Sequence, residues 1–150
     1  MAEVYKALGR FQEARVQEER ALSLTLAQPE PDDAEIATRR SNLAVILWDF
    51  GEHGEARKQI ELALESDLRQ FGPDHPTVAV RRSNLANILG DLGEHGEARK
   101  QIELALESAL RQFGPDHPNV AVRRSNLANI LKDLGEHGEA RKQIELALES

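Results

Sequence analysis

The sequence predicts an all-α fold, an α-solenoid built from about four helical hairpins that stack as antiparallel helix pairs. Three observations predict it. The 150-residue chain repeats itself with a period of 42 residues. Within each repeat, apolar residues recur at the three- and four-residue steps of an amphipathic helix. Glycine or proline interrupts this pattern about every 20 residues, which excludes one long coiled coil even though 42 residues make six heptads.

The repeat boundaries follow from the string RRSNLA, which begins at Arg39, Arg81 and Arg123. Repeats 39–80 and 81–122 differ at five of 42 positions. Segments 81–108 and 123–150 differ at one position in 28, where Lys132 replaces Gly90. Copies this similar predict hairpins that fold alike.

The first 38 residues align with the later copies without a gap, which puts Gly9 at the position of Gly51. We therefore predict a single array over 1–150. In it, 1–38 is a diverged partial repeat, 39–80 and 81–122 are complete repeats, and 123–150 is a truncated repeat.

The first helix of a repeat begins at a proline such as Pro118, because proline loses nothing at the first helical position. His117 or Asp116 is expected to cap it. In the copy before, an apolar face is formed by Val78, Leu85, Leu89 and Leu92. The following Gly93 suits a left-handed helix end.

The second helix carries a broader apolar stripe and ends at Gly114-Pro115. Its members are Ala98, Ile102, Ala105, Leu106, Ala109, Leu110 and Phe113. Only two or three residues join the helices, so each pair is an antiparallel hairpin. One hairpin cannot bury both apolar faces alone, and stacked copies can.

The pattern resembles the tetratricopeptide repeat family. A Leu–small pair, a glycine and two alanines stand at the family's positions as Leu85-Ala86, Gly93, Ala98 and Ala105. His95 replaces the usual tyrosine after the turn. The 42-residue form, with its GPDHP linker, is similar to the repeats of kinesin light chain and of bacterial scaffold proteins.

The resemblance implies a right-handed superhelix whose first helices line a concave groove that binds peptides or protein segments. A helical wheel places polar residues of the first helices, together with Val80 and Val122, opposite the packed side. The candidate groove residues are Ser41, Asn42, Trp48, Asp49, Ser83, Asn84, Asn87, Asp91, Ser125, Asn126, Asn129, Lys132 and Asp133.

Asparagine dominates this face and has both a donor and an acceptor, so it can hold the backbone of an extended peptide without reading its side chains. The alternative is that this row of polar residues is only a solvated helix face. Lys132 is the only basic residue among the candidates, so we expect no preference for acidic C-terminal tails.

Trp48 is the only tryptophan, and two interpretations of it stay open. A tryptophan on the groove face can anchor a ligand side chain. It can equally cover the exposed end of the more diverged first repeats.

Arg82 lies nearer the packed side of its helix than the groove, where a charge must snorkel or pair. Glutamates of the second helices are its expected partners, in ion pairs that help to fix the stacking register. These glutamates are Glu61, Glu65, Glu103 and Glu107.

Composition excludes several functions. The formal net charge of −7 argues against nucleic-acid and anionic-membrane binding. The chain has no cysteine, so thiolate metal sites, disulfides and cysteine nucleophiles are excluded. No apolar run approaches the roughly 20 residues of a membrane span. We expect a cytoplasmic protein.

Catalysis and cofactor binding are not expected either. The five histidines stand in EHGE and PDHP turns, and adjacent acid–His pairs do not generally point at one metal. No phosphate-binding glycine loop and no nucleophile elbow occurs. We therefore predict no metal, no cofactor and no enzyme activity.

Two functions remain. The first is a scaffold that binds an unidentified peptide or protein in the groove. Near-identical copies imply either a repetitive ligand or a specificity that comes from the diverged N-terminal copy or from other parts of the protein. The second is a structural array that associates head to tail, because uncapped solenoid ends expose apolar stacking surface.

Overall fold

The computed structural model describes residues 2–149, with the side chains of all of these except Ala2 and Tyr5. The described residues form helices and turns, with seven α-helices in chain order. They are α1 (Ala2–Leu26), α2 (Asp33–Asp49), α3 (His53–Phe71), α4 (Pro76–Asp91), α5 (His95–Phe113), α6 (Pro118–Asp133) and α7 (His137–Leu148). The predicted all-α solenoid of helix pairs is confirmed.

The chain divides into two compact units, Met1–Gln70 and Phe71–Ser150. In the first unit, α1 packs against α2. In the second, α4 packs on α5, α5 on α6 and α6 on α7, and α4 also contacts α6. A single uninterrupted array over 1–150 stays a prediction.

The turn that joins the helices of a hairpin is closed by glycine at positive φ. Gly93 has a φ of 82°, and Gly135 a φ of 81°. The Glu94 N–H donates to the Leu89 carbonyl at 2.8 Å, and the Gly93 N–H donates to the Gly90 carbonyl at 3.0 Å. This is the two-bond Schellman ending, which satisfies carbonyls that the helix leaves unpaired.

Histidine, one of the two predicted alternatives, caps α4 and α6, whereas Asp32 caps α2. The His117 Nδ1 accepts a hydrogen bond from the Asn119 N–H at 3.1 Å, and the His75 Nδ1 accepts one from the Thr77 N–H at 3.2 Å. The cap is therefore His117 rather than Asp116. Each histidine ring also stacks on the phenylalanine that ends the preceding helix, with ring centroids 4.2 Å apart for Phe113 and His117.

The core is largely aliphatic and repeats with the sequence, with Phe11 as an aromatic member in the first unit. Its second-helix members are the predicted alanines, isoleucine and leucine, such as Ala98, Ile102 and Leu106. Burying an isoleucine or leucine completely contributes about 1.5–3 kcal/mol. Leu92 was predicted to share the core face but is exposed, because it stands at the end of α4 where the chain turns away.

The first hairpin of the prediction is represented by the single helix α1, which runs through Gly9 without a turn. The glycines at positive φ are Gly51, Gly72, Gly93, Gly114 and Gly135, and Gly9 is not among them. A second glycine, Gly54, stands three residues after Gly51, whereas Gln12 stands at the corresponding position three residues after Gly9. One glycine costs a helix only about 1 kcal/mol, and the surrounding Ala, Leu, Glu, Lys and Arg residues favour helix.

Candidate peptide-binding face of the first helices

One face of α4 carries four side chains in a line. Val80, Asn84, Asn87 and Asp91 are spaced by four, three and four residues, which places them on one side of the helix. Val80 is 43% exposed, Asp91 is exposed, and the two asparagines are half-buried. The line is therefore accessible to a ligand along its length.

The same line recurs on α6 as Val122, Asn126, Asn129 and Asp133. Val122 is 51% exposed, Asn126 is half-buried, and Asn129 and Asp133 are exposed. The two hairpins have nearly identical sequences, so both lines lie on the same side of their hairpins. We call the eight residues on α4 and α6 the paired stripes.

The paired stripes contain four of the predicted asparagines and two of the predicted aspartates, and they add valines that the site prediction left out. Val80 and Val122 were placed on this face by the helical wheel. An exposed valine at the same place in successive first helices was the signal for including them.

The serines beside the stripes are not part of the exposed face, which corrects the prediction for two of them. Ser41 and Ser83 are buried, and Ser83 is only 4% exposed. The Ser83 hydroxyl donates to the Ala79 carbonyl of its own helix at 3.0 Å. Ser125 is exposed, and within the described residues no first helix follows α6. The corresponding serine of α4, Ser83, is in a helix that α6 follows and contacts.

Helix α2 carries the corresponding candidates of the first unit. Asn42 and Asp49 are exposed, and Trp48 is half-buried and has an interaction partner. Val45, which stands where α4 has Asn87, is 36% exposed. The two interpretations of Trp48 therefore both stay open.

Position 90 distinguishes the two stripes of the second unit. Gly90 lies inside α4, and a Cβ added there would meet nothing within 4 Å. The aligned Lys132 is exposed on α6. Packing does not demand the glycine, and the lysine is the basic group that was predicted beside this face.

Aspartates give the paired stripes a negative end. Asp133 lies 3.8 Å from the Nδ1 of His95 on α5, and its side chain is 57% exposed. His95 Nδ1 is buried and has no hydrogen-bond partner among the described atoms. Within the part of the chain that the structure describes, no cluster of three potential metal ligands occurs.

The second arginine of each RR pair bonds to glutamine, which corrects the predicted ion pairs with glutamate. Arg82 donates to the Gln101 Oε1 at 2.9 Å, and Arg124 donates to the Gln143 Oε1 at 3.1 Å. In the first unit, Arg40 donates to Gln59 at 3.0 Å. Burial lowers the pKa of Arg82. The neutral amide of Gln101 lies two residues before Glu103 on α5 and is the acceptor that Arg82 reaches.

The arginine–glutamine hydrogen bonds still connect the two helices of a hairpin, since each joins residues 19 apart in the chain. The first arginine of the last pair, Arg123, is half-buried and its Nε has no partner among the described atoms. Burial lowers its pKa as well.

The first unit holds two clefts that the sequence did not predict. One, of about 270 Å³, lies between α1 and α2, and Phe11 stacks there on Phe50 at 4.2 Å. The later copies have histidine and leucine at these two places, which was the available signal. A second cleft of about 420 Å³ is lined by Arg15, Glu19, Leu22, Ser23, Leu43, Leu47, Glu55 and Gln59.

The last hairpin of the second unit has an apolar cleft of about 300 Å³ between α6 and α7. It is lined by Ala121, Val122, Ser125, Asn126, Ile144, Ala147 and Leu148. Leu148 is 80% exposed, whereas the aligned Leu106 is 7% exposed. Across residues 2–149, no helix combines the length and the apolar character that crossing a membrane requires.

Solved structures resemble this chain over nearly its whole length. BtubC (BKLC) from P. vanneervenii superposes with a TM-score of 0.85 at 25% identity, covering 98% of this chain and 58% of that one. A Podosopora anserina protein described as a kinesin light chain with nearly identical TPR-like repeats superposes with a TM-score of 0.80 at 20% identity. That match covers 97% of this chain and 69% of the other, and its Q17M variant gives 0.81.

The family assignment rests on sequence. Among curated proteins, none matches this chain significantly. A family description, the tetratricopeptide repeat, matches at residues 1–69, 34–107 and 77–150. The three matches overlap and together span the sequence, so this chain belongs to the tetratricopeptide repeat family.

Proposed function

We propose that this chain is a non-catalytic scaffold that binds a peptide or protein segment across its first helices. Tetratricopeptide repeats commonly mediate protein–protein interactions. The resemblance predicts that the first-helix face is the concave, ligand-binding one. The observation that carries the proposal is the pair of identical, accessible stripes on α4 and α6.

The chemistry of the stripes favours binding an extended backbone. An extended peptide exposes unpaired N–H and C=O groups, and each asparagine amide can donate to one and accept from the other. Asn84 and Asn87 are half-buried, so their side chains lose less conformational freedom on binding than fully exposed ones would. Valine at one end adds an apolar contact.

The test is a selection of peptides from a random displayed library on the full chain, followed by affinity measurements on variants. The stripe variant replaces Asn84, Asn87, Asn126 and Asn129 by alanine. Its matched control makes the same change, to alanine, at four exposed polar residues of the second helices: Glu97, Lys100, Glu139 and Lys142. We expect selected peptides to bind the stripe variant at least tenfold more weakly and the control equally well. Equal loss in both variants, or in neither, would contradict the proposal.

A second candidate function is self-association, which the α6–α7 cleft favours. In the α4–α5 hairpin the aligned Ser83 and Leu106 are buried, and α6 contacts both helices of that hairpin within the same unit. The cleft therefore fits a first helix with the α6 sequence pattern, and a second copy of the chain offers such a helix.

Light scattering over a concentration series tests this candidate. We expect the average mass to rise with concentration for the natural chain and to stay at the monomer value for Leu148→Glu. Glu149→Gln is the control, since it changes an exposed neighbour without adding charge to the cleft. A natural chain that stays monomeric at millimolar concentration would rule the candidate out.

A further inference from the structure

The cleft between α1 and α2 differs in composition from the aligned place in the second unit. Two of its changes remove a carboxylate, and two introduce an aromatic ring. One carboxylate, Asp49, is kept at the place of Asp133. Four lining residues, Ala7, Arg10, Phe11 and Phe50, stand where the second unit has Asp91, Glu94, His95 and Leu134. The first unit therefore has an aromatic, mainly apolar lining where the second unit has acidic and polar side chains.

The α1–α2 cleft is open where the other copies are closed. Ile46 in its wall is half-buried, whereas the aligned Ile88 and Ile130 are only 1% and 4% exposed. Phe11 is buried and stacks on Phe50, with ring centroids 4.2 Å apart and ring planes at 21°. Phe50 itself is 43% exposed. Part of the Phe50 ring is therefore free to contact a third ring.

The volume of this cleft fits one aromatic side chain. An apolar cavity of about 150 Å³ holds a benzene molecule, and sites for whole small-molecule ligands begin at about 300 Å³. The α1–α2 cleft, at about 270 Å³, lies between these two sizes. Aromatic rings prefer offset-stacked or edge-to-face contacts with one another, which add to the gain from burying apolar area. An aromatic side chain is therefore the occupant that uses both the volume of the cleft and the exposed ring of Phe50.

The charges at the cleft favour a neutral occupant. Among the described residues that line it, Arg10 and Asp49 are the charged ones, and both are exposed and have no ion-pair partner. In the second unit, the Nδ1 of His95 lies 3.8 Å from Asp133. Phe11 replaces that histidine in the first unit, so Asp49 lacks this neighbour. Because Arg10 and Asp49 have opposite charges, a charged side chain would be attracted by one and repelled by the other.

We propose that the α1–α2 cleft is an anchor site for one uncharged aromatic side chain of the peptide or protein that this chain binds. The inference rests on the proposed function and adds a site in the first unit, where Asp49 belongs both to the cleft and to the predicted groove face. A few aromatic anchors that fill pockets supply most of the binding energy in many interfaces. The paired stripes are nearly identical and select no particular ligand residue, whereas this cleft selects an aromatic one.

The test is an NMR titration of the full chain with N-acetylphenylalanine amide, followed at the isoleucine methyl resonances. A phenyl ring in the cleft shifts the methyl resonances of Ile46 through its ring current. We expect these resonances to shift and saturate at tens of millimolar probe, while those of the buried Ile88 and Ile130 stay unchanged. N-acetylleucine amide, which is apolar but has no ring, should bind at least threefold more weakly. Ile144 in the α6–α7 cleft, whose described lining has no aromatic residue, should shift less than Ile46.

Two matched variants check the assignment of the cleft. Phe50→Leu introduces the residue of the later copies and should weaken binding of the phenylalanine probe at least fivefold, because the exposed ring is lost. Phe71→Leu is the control and should leave binding unchanged. Phe71 is 42% exposed, as Phe50 is to 43%, and it also stacks on a ring, that of His75.

Unchanged Ile46 resonances at tens of millimolar probe would overturn the inference, and so would equal affinity for the leucine probe. An equal loss in the variants of Phe50 and Phe71, or an equal shift of Ile144, would overturn it as well, because binding would then be non-specific. If Phe50→Leu abolishes self-association in light scattering, a second copy occupies the cleft and the inference fails.

The proposed function is tested separately from the anchor site. If library-selected peptides depend on the four asparagines of the paired stripes and bind equally well to Phe50→Leu, the scaffold proposal stands and the anchor site fails. If they depend on Phe50 and not on the asparagines, the anchor site stands and the paired stripes are not the ligand-binding face.

Discussion

The hairpins α4–α5 and α6–α7 differ at only two aligned positions, Thr77/Asn119 and Gly90/Lys132, yet aligned residues are buried in one and accessible in the other. Ile102 is fully buried and Ile144 is half-buried. Ser83 is buried and Ser125 is exposed. The difference shows that long-range burial in a solenoid depends on the neighbouring repeat, whereas turns and caps are set within each copy.

The largest expected effect of this comparison is a difference in the free energy of unfolding between variants of two aligned leucines, Leu106 and Leu148. Leu106→Ala removes a side chain that is 7% exposed, so we expect a loss of about 2–5 kcal/mol in the free energy of unfolding. Leu148→Ala removes the aligned side chain, which is 80% exposed, and should change it by no more than about 0.5 kcal/mol. Urea denaturation of both variants measures this. Similar losses would mean that the cleft at Leu148 is covered in solution.

Glycine substitutions test the features that the two hairpins share. Gly93→Ala and Gly135→Ala place a Cβ at positive φ, and each should destabilise the chain by about 1–2 kcal/mol. Gly90→Ala is the contrast, since this residue is inside α4 with open space around it, and it should stabilise by about 0.5–1 kcal/mol. Thermal unfolding separates the two directions. A stabilising Gly93→Ala would contradict the turn geometry.

The histidine caps should give the smallest and most uniform effect. His75→Ala and His117→Ala each remove the acceptor for the first N–H groups of a helix and should cost about 1 kcal/mol. His117→Asn keeps an accepting cap and should recover most of that loss. Because the cap is local, the two alanine variants should agree within about 0.5 kcal/mol by denaturation. A cost confined to one helix would show that the caps depend on their neighbours.

The same distinction between local and neighbour-dependent features explains what the sequence could predict. The turn at Gly93 and the cap at His117 need only a few adjacent residues. The turn was predicted correctly, and His117 was one of the two predicted caps. The apolar stripe of α5 followed from its spacing. These features together determine the fold class.

The features that were not predicted depend on contacts between distant residues. Ser83 shares a side of α4 with the groove candidates, but α6 follows it and buries it. Arg82 was paired with glutamates by charge, whereas the atom within reach is the Gln101 oxygen. Gly9 aligns with the turn glycines, but its own surroundings favour helix. A helical wheel describes one helix alone and does not show its contacts with other helices.

For the candidate site, the sequence identified the asparagines and aspartates. The helical wheel also placed Val80 and Val122 on this face, but the site prediction did not include them. It did not predict the Phe11–Phe50 cleft, because two aromatic replacements in a diverged copy have no partner visible in the sequence. The contact between α4 and α6 is visible only in the structure.

The central claim is that the asparagines of the paired stripes contact the ligand. The most direct measurement follows the side-chain amide resonances of Asn84, Asn87, Asn126 and Asn129 by NMR while a library-selected peptide is added. We predict that these four resonances shift together and saturate at the same peptide concentration as binding. Shifts confined to the second helices, with these four amides unchanged, would contradict the claim.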